Sequence, residues 1–326
     1  MPRVPRPAVA AAAVLALGAL AAAPAPADGP AVTEPRVAAH LDLARGQSPE
    51  NIALAPDGSA DLTLSNARQV VNVTREGRTR LLATLPAVAN PHTPVVGAAV
   101  VLGIARAQNG TLFVTYATGT AATGIWRIPA HGGRPRQIAQ LPPTGFPNGL
   151  ALDERRGVLY AADSVLGTVW RVPRAGGTPT AWATGAALEP RNPRPAAKVG
   201  VNGLRLHRGA VWVSNTNAGT LLRIPVRSGG AAGEVETRAT RLYAIDDFAF
   251  LERNRDTALA AMTGGSEVEL VRPDGAHHVV LTRADGLSNP TSVAVRGRTV
   301  YVTSAAYFTQ RDPNLLVARV HQRARD

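Results

Sequence analysis

Four oxygen-bearing side chains stand at matching points of a repeating sequence: Glu50 in SPENIALAPDG, Asn148 in FPNGLALD, Asn202 in VNGLRLH and Asp246 in IDDFAF. Two carboxylates and two amide carbonyls brought to one axis form an oxygen-only cage. Such a cage suits a hard divalent ion, Ca²⁺ above others, and disfavours metals that prefer imidazole or thiolate. The competing reading is that Asn-Gly and Asp-Asp steps only cap turns, where both residue types are common for backbone reasons. A turn, however, gives no reason for Glu at one site and Asp at another, and close carboxylates without a counter-ion repel. An ion held there with open positions would polarise a carbonyl and stabilise an oxyanion.

The same region offers further candidates. Asp246 is expected to serve both the ion and the reaction, and its neighbour Asp247 is the candidate base toward water, against a turn or supporting hydrogen-bond role. Asn66, Asp163 and Asn215 end second strands and are candidates to orient a small oxygenated ligand, each with a turn role as the alternative. His92 is the one histidine placed at the same mouth, as a catalytic candidate or a surface-loop residue. No G-x-S-x-G elbow, H-E-x-x-H helix or Walker loop is present, and the absence of cysteine removes thiolate catalysis and disulfides together.

What must position these residues is a four-strand repeat. Residues 146–177 combine short alternating strands with glycine turns. The Asn148-Gly149-Leu150 start returns as Asn202-Gly203-Leu204, and the Trp170-Arg171-Val172-Pro173 ending returns as Leu222-Arg223-Ile224-Pro225 and as Trp126-Arg127-Ile128-Pro129. Aligning the chain on this unit puts Glu50, Val100, Asn148, Asn202, Asp246 and Thr291 at one position, at intervals of 50, 48, 54, 44 and 45. That period predicts an all-β, six-bladed β-propeller, each blade a four-stranded sheet that cannot bury its faces alone. Antiparallel order brings the start of each first strand to the mouth of the central channel. Residues 36–43 alternate as a strand before the first repeat, and the last repeat lacks its fourth strand. Pairing of the two would close the ring and leave no sheet edge.

The residues quoted above resemble the metal-site blade motifs of the regucalcin and gluconolactonase (senescence marker protein) superfamily, six-bladed calcium-dependent lactonases, over about residues 36–320. Regucalcin-type enzymes carry Asp where this chain has Asn202; with its carboxylate at Asp246 instead, the pattern is more similar to the paraoxonase and staphylococcal lactonase branch. The resemblance implies one axial Ca²⁺ on Glu50, Asn148, Asn202 and Asp246, and hydrolysis of a lactone or related ester. The alternative is a non-catalytic propeller binding a small molecule, sugar or protein at the same face. A strictosidine-synthase-like lyase or condensing enzyme shares the fold, but low aromatic content argues against its drier pocket.

The ends and the charge complete the reading. An arginine-bearing start, an apolar run over 8–23 and small residues through Ala25-Pro26-Ala27 have the layout of a secretory signal peptide. The expected division is a signal peptide at 1–27, a linker at 28–35 and the propeller at 36–326, giving a secreted monomer with no stable membrane insertion after cleavage. Formal net charge is +12, almost wholly arginine, since Lys198 is the single lysine. The arginines are scattered along turns and strand edges, and with aromatics at 4% no nucleic-acid partner is expected. Arg191, Arg194 and Lys198 in one long connector could draw an anion, against a solvated loop.

Overall fold

In the computed structural model, which describes residues 31–191 and 199–321, six antiparallel four-stranded sheets form a ring. The segment read as a signal peptide, the first residues of the linker, and Arg194 and Lys198 lie outside the described residues. Among those described there is no α-helix; two 3₁₀ turns, Leu43–Arg45 and Arg283–Asp285, are the only helical pieces.

The inner strands of blades one to six are Pro49–Leu54, Val100–Arg106, Pro147–Asp153, Val201–His207, Ile245–Phe250 and Pro290–Arg296. Blade six adds Thr299–Ser304 and Asn314–His321, and its outer strand is the terminal segment Ala31–His40, paired antiparallel with Val37 opposite Leu316 and His40 opposite Asn314. The closure is therefore the expected one, although its strand starts at Ala31 and takes in residues assigned to the linker. The reason is local. The register shifts between Thr33 and Arg36, where Glu34 has φ 54° and Pro35 lacks an amide proton, so the alternation breaks although the pairing continues.

The core lies between blades, where apolar faces of neighbouring sheets interlock. Val70 and Leu85 of blade one meet Val101, Ile104 and Tyr116 of blade two, and Leu270 of blade five packs with Val300 of blade six. At the axis there is no space for such side chains. A Cβ on Gly103 would lie 2.2 Å from the Asn148 carbonyl oxygen, and one on Gly149 would lie 2.3 Å from that of Asn202. Glycine there lets one inner strand approach the next.

Second-strand hydroxyls tie these strands together. Thr115 Oγ1 accepts the Gly103 amide at 2.7 Å and donates to the Asn148 carbonyl at 2.7 Å. Thr63 does the same between the Asn51 amide, at 3.0 Å, and the Leu102 carbonyl, at 2.5 Å, and Ser214 between the Gly203 amide and the Asp246 carbonyl. This register makes Asn51, Gly103 and Gly203 equivalent. The residue of blade two that matches Glu50 and Asn202 is therefore Leu102, and the alignment on Val100 is corrected by two residues.

Candidate functional site

Glu50, Asn148, Asn202 and Asp246 are each the second residue of an inner strand, so the four converge on the mouth face of the channel. The first three are buried and Asp246 is partly so. Asp246 Oδ1 accepts from Asn202 Nδ2 at 2.8 Å and its Oδ2 from Thr263 Oγ1 at 2.9 Å. Asn202 Nδ2 also donates to Thr216 Oγ1 at 3.0 Å. Both amide protons are thereby used, while Asn202 Oδ1 is buried without a hydrogen-bond partner among the described residues. A buried carbonyl of this kind calls for a donor or a cation.

Glu50 Oε2 accepts from the Tyr307 hydroxyl at 2.5 Å, and Ser65 Oγ lies 3.0 Å from the same phenol oxygen. Because the phenol has one proton and gives it to the carboxylate, Ser65 donates to the phenol. Burial pushes the Glu50 carboxyl above its ordinary pKa, against the Tyr307 bond that favours the anion. Burial likewise pushes Asp246 well up, with the Glu50 charge as the next cause. Enclosed carboxylates whose charges oppose ionisation, Asp247 acting on Glu50 and Glu50 on Asp246, mark a place short of positive charge. No group of three or more His, Cys, Asp or Glu side chains that could hold a metal occurs among the described residues. The available donors are two carboxylates and amide oxygens, and this oxygen set fits a hard divalent cation.

Asp247 occupies a different layer. Its Oδ2 accepts from Ser292 Oγ at 2.7 Å, from Asn51 Nδ2 at 3.1 Å and from the Arg205 guanidinium, and its Oδ1 accepts the Phe248 amide at 2.8 Å. A buried carboxylate paired with arginine and holding four donors is poorly suited to take a proton from water. It braces blades one, four, five and six across the channel, so the supporting role fits it better than the base role.

The second-strand candidates divide. Asp163 Oδ1 accepts the amides of Phe146, Leu166 and Val165 at 2.8, 3.1 and 3.3 Å, and Oδ2 accepts Trp170 Nε1 at 3.2 Å. Asn215 Nδ2 donates to the carbonyls of Ala187 and Glu189, both at 2.9 Å, and Oδ1 accepts the Ala218 amide at 3.1 Å. Both buried side chains are thus committed to their own turns and connector, which corrects their reading as ligand contacts. Asn66 is exposed at the tip of the corresponding turn. His92 is also exposed on the mouth face; its backbone amide donates to the Thr118 carbonyl at 3.1 Å and its Nδ1 lies 2.9 Å from the Asn90 carbonyl. A carbonyl partner requires the proton on Nδ1, so in the neutral ring Nε2 is the acceptor.

Three contributors were not singled out from sequence. Tyr307 lies in the connector over 305–313 and reaches Glu50 across the closure of the ring. Arg205 reaches Asp247 from the neighbouring blade. Leu102 replaces an oxygen at the ring position and clusters with Val100, Ala117 and Phe146, flanked by Val95 and Val165. The mouth is therefore polar on the side of blades one, four and five, apolar at blade two, and mixed at blade three, where Asn148 stands beside Phe146. Tyr307→Phe, which strips a donor from the buried Glu50 carboxylate, is expected to lower stability by about 1–3 kcal/mol in urea unfolding of the cation-free chain.

Comparison with known proteins agrees with the architecture. No sequence-family profile and no curated protein matches the chain. Among solved structures it is similar to the PQQ-bound form of an aldose sugar dehydrogenase from Streptomyces coelicolor, with TM-score 0.62 and 17% identity over 91% of this chain and 100% of that one. It is also similar to a calcium-binding protein, regucalcin, from Agrobacterium tumefaciens, with TM-score 0.62 and 15% identity over 87% and 93%. A streptogramin B lyase aligns with TM-score 0.57 and 14% identity over 89% and 98%. At these identities the likeness establishes the propeller fold, which hosts a dehydrogenase, a calcium-binding protein and a lyase alike.

Proposed function

We propose that this chain is a secreted, calcium-dependent hydrolase of lactones or related esters, acting at the channel mouth. The observation that carries the reading is that two carboxylates held above their ordinary pKa, buried Glu50 and partly buried Asp246, stand on the same ring as the unpartnered Asn202 carbonyl. Glu50, Asn148, Asn202 and Asp246 would hold the ion. Once bound, it would supply Lewis acidity toward an ester carbonyl.

The remaining work falls to the protein's own groups. Asp247, through Asn51, Ser292 and Arg205, keeps the inner strands in register. Tyr307 holds Glu50 by one oxygen. His92, whose Nδ1 faces the Asn90 carbonyl, offers Nε2 of its neutral ring to accept the proton from the attacking water. The Leu102, Phe146 and Val165 side takes the non-reacting apolar part of the substrate, so an alkyl-bearing lactone suits this mouth better than a polyhydroxylated one.

The test is metal analysis of the purified mature chain together with a panel of alkyl-substituted and sugar lactones, with and without chelator. Hydrolysis that is abolished by chelator, restored by Ca²⁺ and lost in Glu50→Gln supports the proposal, and His92→Gln should lower kcat while sparing Ca²⁺ binding. The commitment of Asp247 to Arg205 favours the second reading, a non-catalytic binding propeller; stoichiometric Ca²⁺ with no turnover of any lactone or ester would select it.

A further inference from the structure

The chain has 35 basic residues spread along its length, yet the fold gathers five arginines around one concavity. It measures about 740 Å³ and is lined by Arg36, Arg75, Arg296, Arg298 and Arg319, with Glu34 as the only acid and Tyr301 and Val317 as an apolar wall. Inner strands run away from the mouth, so the turn at Arg296 and Arg298 lies on the opposite face, where the terminal strand, blade six and blade one meet.

None of these arginines is in an ion pair among the described residues, whereas Arg106, Arg205 and Arg223 are paired with Asp61, Asp247 and Glu236. Arg296, Arg75 and Arg319 are nonetheless placed by neutral neighbours, and Arg298 meets His321 Nδ1. Arg296 donates to the Ala55 carbonyl at 2.8 Å and to the Pro56 carbonyl, and Tyr301 OH donates to the Gly58 carbonyl at 3.0 Å. Arg75 lies over Gly58, where a Cβ would come within 2.4 Å of the guanidinium. Arg319 Nη1 donates to Thr299 Oγ1 at 3.3 Å. Carbonyl and hydroxyl partners position a guanidinium without cancelling its charge. The blade-one turn over 55–59 is thus a scaffold for two of the five. A smaller hollow of about 330 Å³, bounded by Glu34, Arg298, Arg319 and His321, adjoins the first.

Fixed guanidinium forks match oxyanions by paired N–H donors. Several around a hollow of small-molecule size call for more than one anionic group on one ligand. We infer that this concavity binds a soluble anion carrying two or more phosphate or sulfate groups, at a site separate from the mouth.

Calorimetric titration with inorganic pyrophosphate at fixed ionic strength tests it. Expected is saturable binding to one site, weaker by about tenfold or more in Arg36→Ser/Arg298→Ser, as loss of charge-assisted hydrogen bonds requires, and unchanged in Arg227→Ser, an exposed arginine elsewhere. Both changes are on the surface, and an unaltered melting temperature verifies folding. Glu50→Gln should bind pyrophosphate as the parent does, which separates this site from the mouth. Lack of saturation, or equal weakening in Arg227→Ser, would overturn the inference by making the effect one of net charge. Sedimentation with phosphatidylglycerol vesicles but not phosphatidylcholine vesicles, without pyrophosphate binding, would overturn it in favour of a lipid headgroup.

Discussion

Removing residues 31–40 should lower the melting temperature by about 10 °C or more, or drive the chain into aggregates, because it takes a whole strand from the one sheet built by both ends of the chain. Val32 and Ala39 leave the closing sheet, and Asn314–His321 becomes a free edge beside the Leu315 and Leu316 core positions. Shortening the turn between Val226 and Ala232, which a single bridge joins, should cost little by comparison. Thermal unfolding followed by circular dichroism, with size-exclusion chromatography for aggregates, distinguishes the two. Equal losses in both chains would mean that the terminal strand does not close the ring.

Glu50→Gln should raise the melting temperature without Ca²⁺ and abolish the rise that Ca²⁺ produces in the parent. Without a cation, the change removes a carboxylate whose ionisation burial and the Asp247 charge oppose, while the amide oxygen still accepts from Tyr307. With Ca²⁺ at 100 times its dissociation constant, the parent should gain about 2.7 kcal/mol, which for a domain of this size is about 5 °C. Asp246→Asn is the less clean probe, because it would set an amide nitrogen against either the Asn202 or the Thr263 donor. A Glu50→Gln chain that melts lower without cation, or that still responds fully to Ca²⁺, would remove Glu50 from the site.

The blade count and the ring closure were legible because glycine turns and inner-strand starts repeat at nearly even intervals. Polar markers made four ring residues readable in the same way. Blade two lacked one: Val100, Val101 and Leu102 are all apolar, so nothing in the pattern chose among them until the Thr63 and Thr115 hydroxyls set the register. Asp163 and Asn215 show the converse. A polar residue at a strand end has the same appearance whether it caps a turn or faces a channel, and the difference lies in backbone amides several residues away. Tyr307 and Arg205 act through contacts between blades, and the arginine concavity joins positions as distant as 36 and 319. Local periodicity carries none of these.

The closing sheet also sets an order in time. Ala31–His40 is synthesised first among the described strands and its partner Asn314–His321 last, so a chain growing from its N-terminus keeps an unpaired edge until Asn314–His321 has been made. Blades one to five can assemble from local hairpins, while closure waits on a contact between residues such as Val37 and Leu316. Such distant pairing is slow to form and leaves apolar surface open in the interval. Refolding from denaturant should therefore show blade structure before the ring locks, with the locking step the one most exposed to competing association.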